Sequence, residues 1–327
     1  MTETMRAWQV TAHGEPEDVM ELREADVPAP GPGEVLVRVR AVAVNFPDVL
    51  LSRGQYQERP ELPFIPGIEL CGDVAALGDG VTGLSEGQRV VGSKIGVMAE
   101  YATVPALSLR PAPDPLDDAA AAALTIAYQT AWFGLHRRAA IRTGETLLVH
   151  AAAGGVGTAA CQLGAAAGAR VLGVVGTEAK TEVAAEAGAE AVLLRDDDWV
   201  DAVKHGHGGA DVVFDPVGGA AFEGSTRCIA FEGRIVVVGF AGGGMPTVRA
   251  GHALVKNYSV LGLHWALYQR RHPELVTQAH EELWRLAEEG AVRPVVAETV
   301  PFERAPSAVR RLASGATTGR LVVRVAA

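Results

Sequence analysis

A glycine-rich turn between an apolar segment and an Ala-rich segment is the part of the sequence whose residues could most directly do chemistry. Residues 146–168 read TLLVHAAAGGVGTAACQLGAAAG. Gly154 and Gly157 occupy the second and third glycine positions of a G-x-G-x-x-G pattern, and Ala152 replaces the first. The second glycine lets the backbone approach a pyrophosphate, and the third lets the helix pack closely on its strand. The pattern therefore predicts a dinucleotide-binding turn, although tight packing alone would also favour these glycines.

The residues after the next strand indicate which dinucleotide would bind. An NAD site usually has an Asp or Glu at the tip of this strand to hold the ribose hydroxyls. Here the strand ends at Gly176 and Thr177 without a carboxylate, Lys180 follows one turn later, and Arg195 follows the next strand. Cations in place of the acid favour a 2′-phosphate, so we expect NADPH as the cofactor. The alternative is that Lys180 and Arg195 are ordinary solvated surface charges.

The surrounding elements predict an α/β protein of two domains. Short strands and Gly/Pro turns fill the first third of the chain, and residues 34–45, EVLVRVRAVAVN, alternate as a half-buried strand does. From residue 146 onward, Val-rich strands alternate with helical segments, which is typical of a doubly wound parallel sheet. We therefore expect a Rossmann-type domain at 126–265 inserted in a β-rich domain formed by 1–125 and 266–327.

Composition limits the classes of function. The chain has 327 residues, 48% of them hydrophobic, and a net charge of −10, which argues against nucleic-acid or anionic-membrane binding through bulk charge. Its three cysteines lack a C-x-x-C spacing, and the sequence has neither a signal-like N-terminus nor a long apolar run. These features predict a cytoplasmic protein that does not associate with membranes.

Several motifs in order along the chain resemble the zinc-free quinone oxidoreductases, the zeta-crystallin-like group of the medium-chain dehydrogenase/reductase superfamily. They are AVNFPDVLLSRGQY, PFIPGIELCGDVAALGDGV, LTIAYQTAWFGL, HAAAGGVG, FDPVGG, GRIVVVGFAGG and TTGRLVV. The resemblance implies that the β-rich domain is GroES-like and that the protein is a homodimer. The apolar stretch SVLGLHWALY (259–268) is a candidate edge for pairing, and a buried strand that leads out of the domain would have the same pattern.

The resemblance also implies which residues bind the cofactor. Asn45 and Tyr56 bracket a loop that lines the nicotinamide and substrate cleft in relatives, and Leu50 replaces a tyrosine found there in well-known quinone reductases. The remaining positions match pyrophosphate, ribose-phosphate or nicotinamide contacts of the family: Thr130, Gly154, Gly155, Val156, Gly157, Gly176, Thr177, Lys180, Arg195, Phe240, Ala241 and Arg320.

The sequence lacks the ligands of the zinc enzymes in this superfamily. Those enzymes have Gly-His-Glu where this chain has Gly67-Ile68-Glu69, and no Cys or His lies near Asn45. Because a catalytic zinc needs three protein ligands and a structural zinc four, we expect no metal. Without a Lewis acid, a conjugated acceptor is favoured, because the charge that arrives with a hydride delocalises over it.

These observations predict an NADPH-dependent, zinc-independent reductase that transfers hydride from nicotinamide C4 to a quinone or enone. Tyr56 is the candidate proton donor, since a phenol with a pKa of about 10 is protonated at neutral pH, and Asn45 is a candidate hydrogen-bond donor to the reduced oxygen. Tyr56 could instead only pack over the cleft. Two alternatives are a 2-enoyl-thioester reductase, with Arg53 and Arg59 near a carrier phosphate, and a non-catalytic NADPH-binding crystallin or RNA-binding role.

Overall fold

The computed structural model describes residues 3–325; residues 1, 2, 326 and 327, which fall within the ranges expected for the β-rich domain, lie outside this description. The strands are β1 (Thr4–Val10), β2 (Met20–Asp26), β3 (Glu34–Ala43), β4 (Glu69–Leu77), β5 (Arg89–Ser93), β6 (Tyr101–Pro105), β7 (Leu109–Pro111), β8 (Thr146–His150), β9 (Arg170–Val175), β10 (Ala191–Leu194), β11 (Ala210–Asp215), β12 (Ile229–Val237), β13 (Ser259–Gly262), β14 (Val296–Pro301) and β15 (Arg320–Arg324). The helices are α1 (Pro16–Val19), α2 (Phe46–Ser52), α3 (Asp118–Ala122), α4 (Thr125–Trp132), α5 (Gly155–Ala166), α6 (Thr181–Glu186), α7 (Trp199–Asp201), α8 (Gly219–Cys228), α9 (Ala250–Lys256), α10 (Trp265–Arg271), α11 (Pro273–Glu288) and α12 (Ala305–Ala313).

Six parallel strands form the sheet of the second half of the chain. Their order is β10-β9-β8-β11-β12-β13, and each neighbouring pair is parallel. All five residues of β8 are buried, as expected where helices cover both faces of a central strand. The order reverses direction between β8 and β11, which is the switch point of a Rossmann sheet. The predicted doubly wound fold is confirmed.

A separate, mostly antiparallel sheet forms the β-rich part. Its strand order is β14-β15-β3-β4-β5-β7, with β6 also paired to β3, and β1 and β2 form an antiparallel pair beside it. Along β3, buried side chains alternate with more exposed ones through most of the strand, and Val35, Val37 and Val39 are completely buried. The alternation seen in the sequence thus corresponds to a strand with one face in the core.

Contacts within the chain divide it into two compact units. One unit ends at Ile126 and resumes at Val296, and the other is Ala127–Val295. The second boundary therefore differs from the sequence-based one after residue 265. The reason is that residues 266–295 pack with the parallel-sheet unit: Gln162 Nε2 donates a hydrogen bond to the Arg293 carbonyl at 2.8 Å, and Trp132 Nε1 donates to Glu282 at 2.8 Å.

The Ala-rich segment that begins at Asp117 is interrupted rather than forming one long helix. Asp117 caps α3 by accepting the Ala120 N–H at 2.8 Å, which suits the acidic start seen in the sequence. The run then continues as α4 and a π-helical stretch at Phe133–Arg138. No helix within residues 3–325 combines the length and the apolar character that crossing a bilayer demands.

Candidate functional site

The turn after β8 has the close approaches expected of a phosphate cradle. A Cβ on Gly157 would lie 2.1 Å from the Ala151 carbonyl oxygen, so only glycine fits where α5 meets the turn. Ala151 adopts the left-handed conformation with φ +50°, while Ala152 stays outside that region and is completely buried. The first turn of α5 begins at Gly155 and carries no acidic side chain. Its unpaired backbone N–H groups are therefore suited to an anion.

Two cations converge at the end of β9 in the same unit. A Cβ on Gly176 would come within 3.4 Å of Arg195 Nη1, so the guanidinium lies over this glycine. Lys180 is half-buried; burial lowers its pKa, and the positive charge of Arg195 lowers it further. The nearby Thr177 is exposed. A bound phosphate dianion would reverse the electrostatic cost of placing these cations together, so the corner fits the 2′-phosphate of NADPH.

The other positions predicted in this unit lie on separate elements. Thr130 is on α4 and is 8% exposed, while Gly155 and Val156 belong to the first turn of α5. Phe240 is 43% exposed in the loop after β12, and the Ala241 N–H donates to the Pro216 carbonyl at 3.0 Å. The loops that contain Gly154, Gly176 and Phe240 all follow carboxyl ends of parallel strands, so they share one edge of the sheet.

In the other unit, Asn45 and Arg320 are joined by a buried carboxylate. Glu69 Oε2 accepts hydrogen bonds from Arg320 Nη2 at 2.5 Å and Asn45 Nδ2 at 2.9 Å, and Glu69 Oε1 accepts the Ile126 N–H at 2.6 Å. Asn45 Nδ2 also donates to the Ala43 carbonyl, and Asn45 Oδ1 accepts from Arg320 Nη1 at 2.9 Å. Both amide hydrogens of Asn45 are therefore used within its own unit. Burial raises the pKa of Glu69, an effect that Arg320 opposes.

A second carboxylate, Asp48, lies completely buried beside this network. Its Oδ2 accepts the Asn45 N–H at 2.8 Å at the start of α2, and its Oδ1 has no hydrogen-bond partner among the described residues. Burial raises the pKa of Asp48 to about 7, and the negative charge of Glu69 contributes to the rise. The charge of Arg320, which pairs directly with Glu69, opposes the effect of burial on the pKa of Asp48 only in part.

Tyr56 follows α2 and is half-buried. Its ring packs against the core cluster that contains Val49 and Leu51. Leu50, on the same helix, is also half-buried. The structure therefore holds Tyr56 at the border of the core, where a phenol can keep its ring packed and its polar end near solvent.

The sequence positions compared with zinc ligands do not form a metal site. Glu69 is committed to Arg320 and Asn45, and Ile68 is 7% exposed in the core. Within residues 3–325, no group of three or more His, Cys, Asp and Glu side chains is arranged to hold a metal ion.

Three buried carboxylates were not among the predicted site residues: Asp48, Glu69 and Asp215. Glu69 begins the buried part of β4, and Asp215 ends β11, with two residues between it and a Gly-Gly pair. An acid in such an apolar place is a signal that it has a specific partner. The sequence does not show that Arg320 is the partner of Glu69, because the two residues lie 251 positions apart.

Comparisons with known proteins agree with this architecture. The model of the alcohol dehydrogenase GroES-like domain matches residues 31–114, and that of the zinc-binding dehydrogenase family matches residues 155–281. A quinone oxidoreductase-like protein 2 homolog of Nematostella vectensis is 37% identical over 301 residues, which cover 90% of this chain and 82% of that protein. Quinone oxidoreductase of Rattus norvegicus is 32% identical over 316 residues, covering 93% and 92% of the two chains.

A solved structure is similar over the whole chain. The crystal structure of Escherichia coli quinone oxidoreductase complexed with NADPH superposes with a TM-score of 0.90 at 32% identity, covering 99% of this chain and 100% of that one. The chain therefore belongs to the medium-chain dehydrogenase/reductase superfamily and is an oxidoreductase of that class. Within the superfamily it belongs to the quinone oxidoreductase group.

We expect Asp48 to make stability depend on pH. Its pKa is about 7 in the folded state against an ordinary value of 3.8, so between these values the folded state binds more protons than the unfolded state. The free energy of unfolding should therefore fall as pH rises through this window. The free energy of unfolding of the wild type should fall between pH 5 and pH 8. In the Asp48→Asn variant this fall should be smaller by about 2–3 kcal/mol, as measured by urea unfolding at both pH values.

The exposed Asp114 provides the control, since Asp114→Asn should keep the wild-type pH dependence. Parallel pH profiles for the wild type and Asp48→Asn would show that Asp48 titrates as an ordinary solvated acid.

Proposed function

We propose that this protein is an NADPH-dependent, zinc-independent reductase of quinones or enones. The observation that carries the proposal is the pair of cations at Gly176, close to a glycine turn too narrow for any side chain. It suits a dinucleotide with a 2′-phosphate. The Escherichia coli structure that superposes over the whole chain is named as an NADPH complex of a quinone oxidoreductase, which supports the same cofactor and acceptor class.

The chain's own residues would bind and orient the cofactor and would protonate the reduced acceptor. The turn Gly154–Gly157 would bind the pyrophosphate, with Gly155 and Val156 supplying N–H groups, and Lys180, Arg195 and Thr177 would bind the ribose phosphate. NADPH, when bound, supplies the hydride. Tyr56 would donate the proton that the reduced oxygen needs. Asn45 and Arg320, whose hydrogen bonds are directed to Glu69 and each other, would act by fixing the start of α2, and hence Tyr56, in place.

The cations at Gly176 should determine the choice between NADPH and NADH. Lys180→Ala and Arg195→Ala each remove one charge-assisted contact, so each should weaken NADPH binding by about tenfold or more. NADH binding should change little, because NADH lacks the 2′-phosphate. Fluorescence titration of both cofactors measures the effect.

Lys204, exposed elsewhere in the same unit, is the matched control, and Lys204→Ala should leave both affinities unchanged. If NADPH binding survives in both Lys180→Ala and Arg195→Ala, the phosphate assignment is incorrect.

A 2-enoyl-thioester reductase is the competing activity, and one contact weighs against it. Arg53, one of the two expected ligands of a carrier phosphate, forms a two-pronged ion pair with Glu15 at 2.9 and 3.0 Å, while the other, Arg59, is exposed. Engaged in this way, the Arg53 guanidinium would have to give up a carboxylate before it could bind a phosphate.

Acceptor specificity and the role of Tyr56 can be tested together. The wild type should reduce 1,4-quinones and alkyl enones with NADPH faster than it reduces a crotonyl thioester. Tyr56→Phe keeps the packed ring and removes the proton donor, so kcat should fall by about a hundredfold, within the range for general acid catalysis. Turnover of the thioester alone would exclude the quinone assignment, and unchanged kcat in Tyr56→Phe would leave the ring a packing role only.

We also propose that two chains pair through the edge of the parallel sheet. β13 is the last strand of that sheet, and its Val260 and Leu261 are only half-buried. Exposed apolar side chains lie on neighbouring segments: Phe231 at 72%, Leu254 at 77% and Val255 at 76% exposure. An unpaired edge beside an apolar surface of this kind is suited to a second copy of the chain.

The three buried free cysteines, Cys71, Cys161 and Cys228, suit a reducing cytoplasm.

Charges placed on this surface should separate the two chains. The double variant Leu254→Lys/Val255→Lys should be monomeric by light scattering at a concentration where the wild type is dimeric, because burying the lysines would cost desolvation energy. Leu107, 73% exposed in the other unit, is the control, and Leu107→Lys should remain a dimer. A double variant that stays dimeric would move the interface to another surface.

A further inference from the structure

Asp215 ends the central strand β11 and organises the turn that follows it. The side chain is completely buried, and its Oδ1 accepts the N–H groups of Val217 at 2.8 Å and Gly218 at 2.9 Å. Its Oδ2 is buried and has no hydrogen-bond partner within residues 3–325. A carboxylate that accepts two backbone N–H groups fixes the turn more firmly than a neutral acceptor would.

The turn 216–218 forms hydrogen bonds with the loop after β12. The Pro216 carbonyl accepts the Ala241 N–H, and the Val217 carbonyl accepts the Gly242 N–H, both at 3.0 Å. Gly218 pairs with Gly244, and a Cβ on Gly218 would lie 2.6 Å from the Gly244 oxygen. Asp215 thus connects through backbone hydrogen bonds to the loop that presents the exposed Phe240 ring.

The position of this loop in the sheet says which part of a dinucleotide it would face. Ligands of doubly wound sheets lie outside the carboxyl ends of the strands and cross the switch point. The ribose-phosphate corner follows β9 and β10, on one side of β8, and the pyrophosphate turn follows β8 itself. The rest of the dinucleotide must then extend toward β11 and β12, where the Asp215 turn and the loop at Phe240 lie.

We propose that Asp215 is a positioning residue for the nicotinamide half of the cofactor, acting through the turn 216–218 and the loop 240–244. The inference rests on the proposed dinucleotide function and deepens it. It assigns the binding of the adenosine half and the orientation of the nicotinamide half to different residues. Lys180, Arg195 and the turn at Gly154 hold the adenosine half. Asp215 sets the backbone against which the other half is oriented.

Two probes distinguish the halves: NADPH, and adenosine 2′,5′-bisphosphate, which lacks the nicotinamide and its ribose. In Asp215→Ala, calorimetry should show NADPH binding weakened by about tenfold, because the turn 216–218 loses its buried acceptor and the loop 240–244 loses its support, with bisphosphate binding unchanged. Asp215→Asn keeps an oxygen that can accept both N–H groups and should restore most of the NADPH affinity.

Asp211 provides a matched control on the same strand. It also accepts a backbone N–H, from Thr146 at 2.8 Å, but at the amino end of β11, away from the proposed ligand edge. Asp211→Ala should lower thermal stability and leave the ratio of the two affinities at the wild-type value. Gly218→Ala, which forces a Cβ against the Gly244 oxygen at φ +72°, should reproduce the Asp215→Ala effect by a second route.

The outcomes distinguish a failure of the proposed NADPH-dependent function from a failure of the positioning role of Asp215. A wild type that binds neither probe would refute the proposed function together with this inference. If the wild type binds both probes and the Asp215→Ala and Gly218→Ala variants weaken them equally, or weaken neither, the positioning role alone is refuted. Should Asp215→Ala fail to fold, the affinity ratio in Gly218→Ala decides between these results.

Discussion

The parallel arrangement of six strands is the constraint on which the unit Ala127–Val295 depends. Because every strand runs the same way, the segments that follow β8, β9, β11 and β12 emerge at one edge of the sheet. A glycine turn, a pair of cations, a buried carboxylate and an exposed aromatic ring are thereby collected from distant parts of the sequence. The close approach at Gly157, where a Cβ would meet a backbone oxygen at 2.1 Å, then lets α5 direct its N-terminus to that edge.

In the β-rich unit, a buried ion pair is the interaction that links distant elements. Glu69 and Arg320 lie on different strands, and both contact Asn45 at the start of α2. Removing one partner from such a pair leaves a buried charge without compensation, which costs about 3–5 kcal/mol. Burial is the main cause of the raised pKa of the second acid, Asp48, and the charge of Arg320 opposes this rise only in part.

Much of the fold could be read from local patterns, and the exceptions share a cause. The Val-rich strands were readable because both faces of β8 and its neighbours are covered, which requires continuous apolar runs. The sequence predicts that residues 266–295 belong to the β-rich domain because the chain turns helical there, yet this segment accepts hydrogen bonds from Gln129 and Trp132. Which unit a helix packs on depends on contacts between distant residues, and periodicity carries no information about them.

The sequence alone determined the glycine turn, the two cations found where an NAD site would have an acid, and the lack of zinc ligands at Ile68 and Asn45. Each of these depends on the type of a residue at a fixed spacing along the chain. The tertiary structure decided that Arg320 pairs with Glu69 and that Asp215 supports the loop at Phe240. Those links join elements that are far apart in sequence, and only the three-dimensional packing determines which buried charge meets which partner.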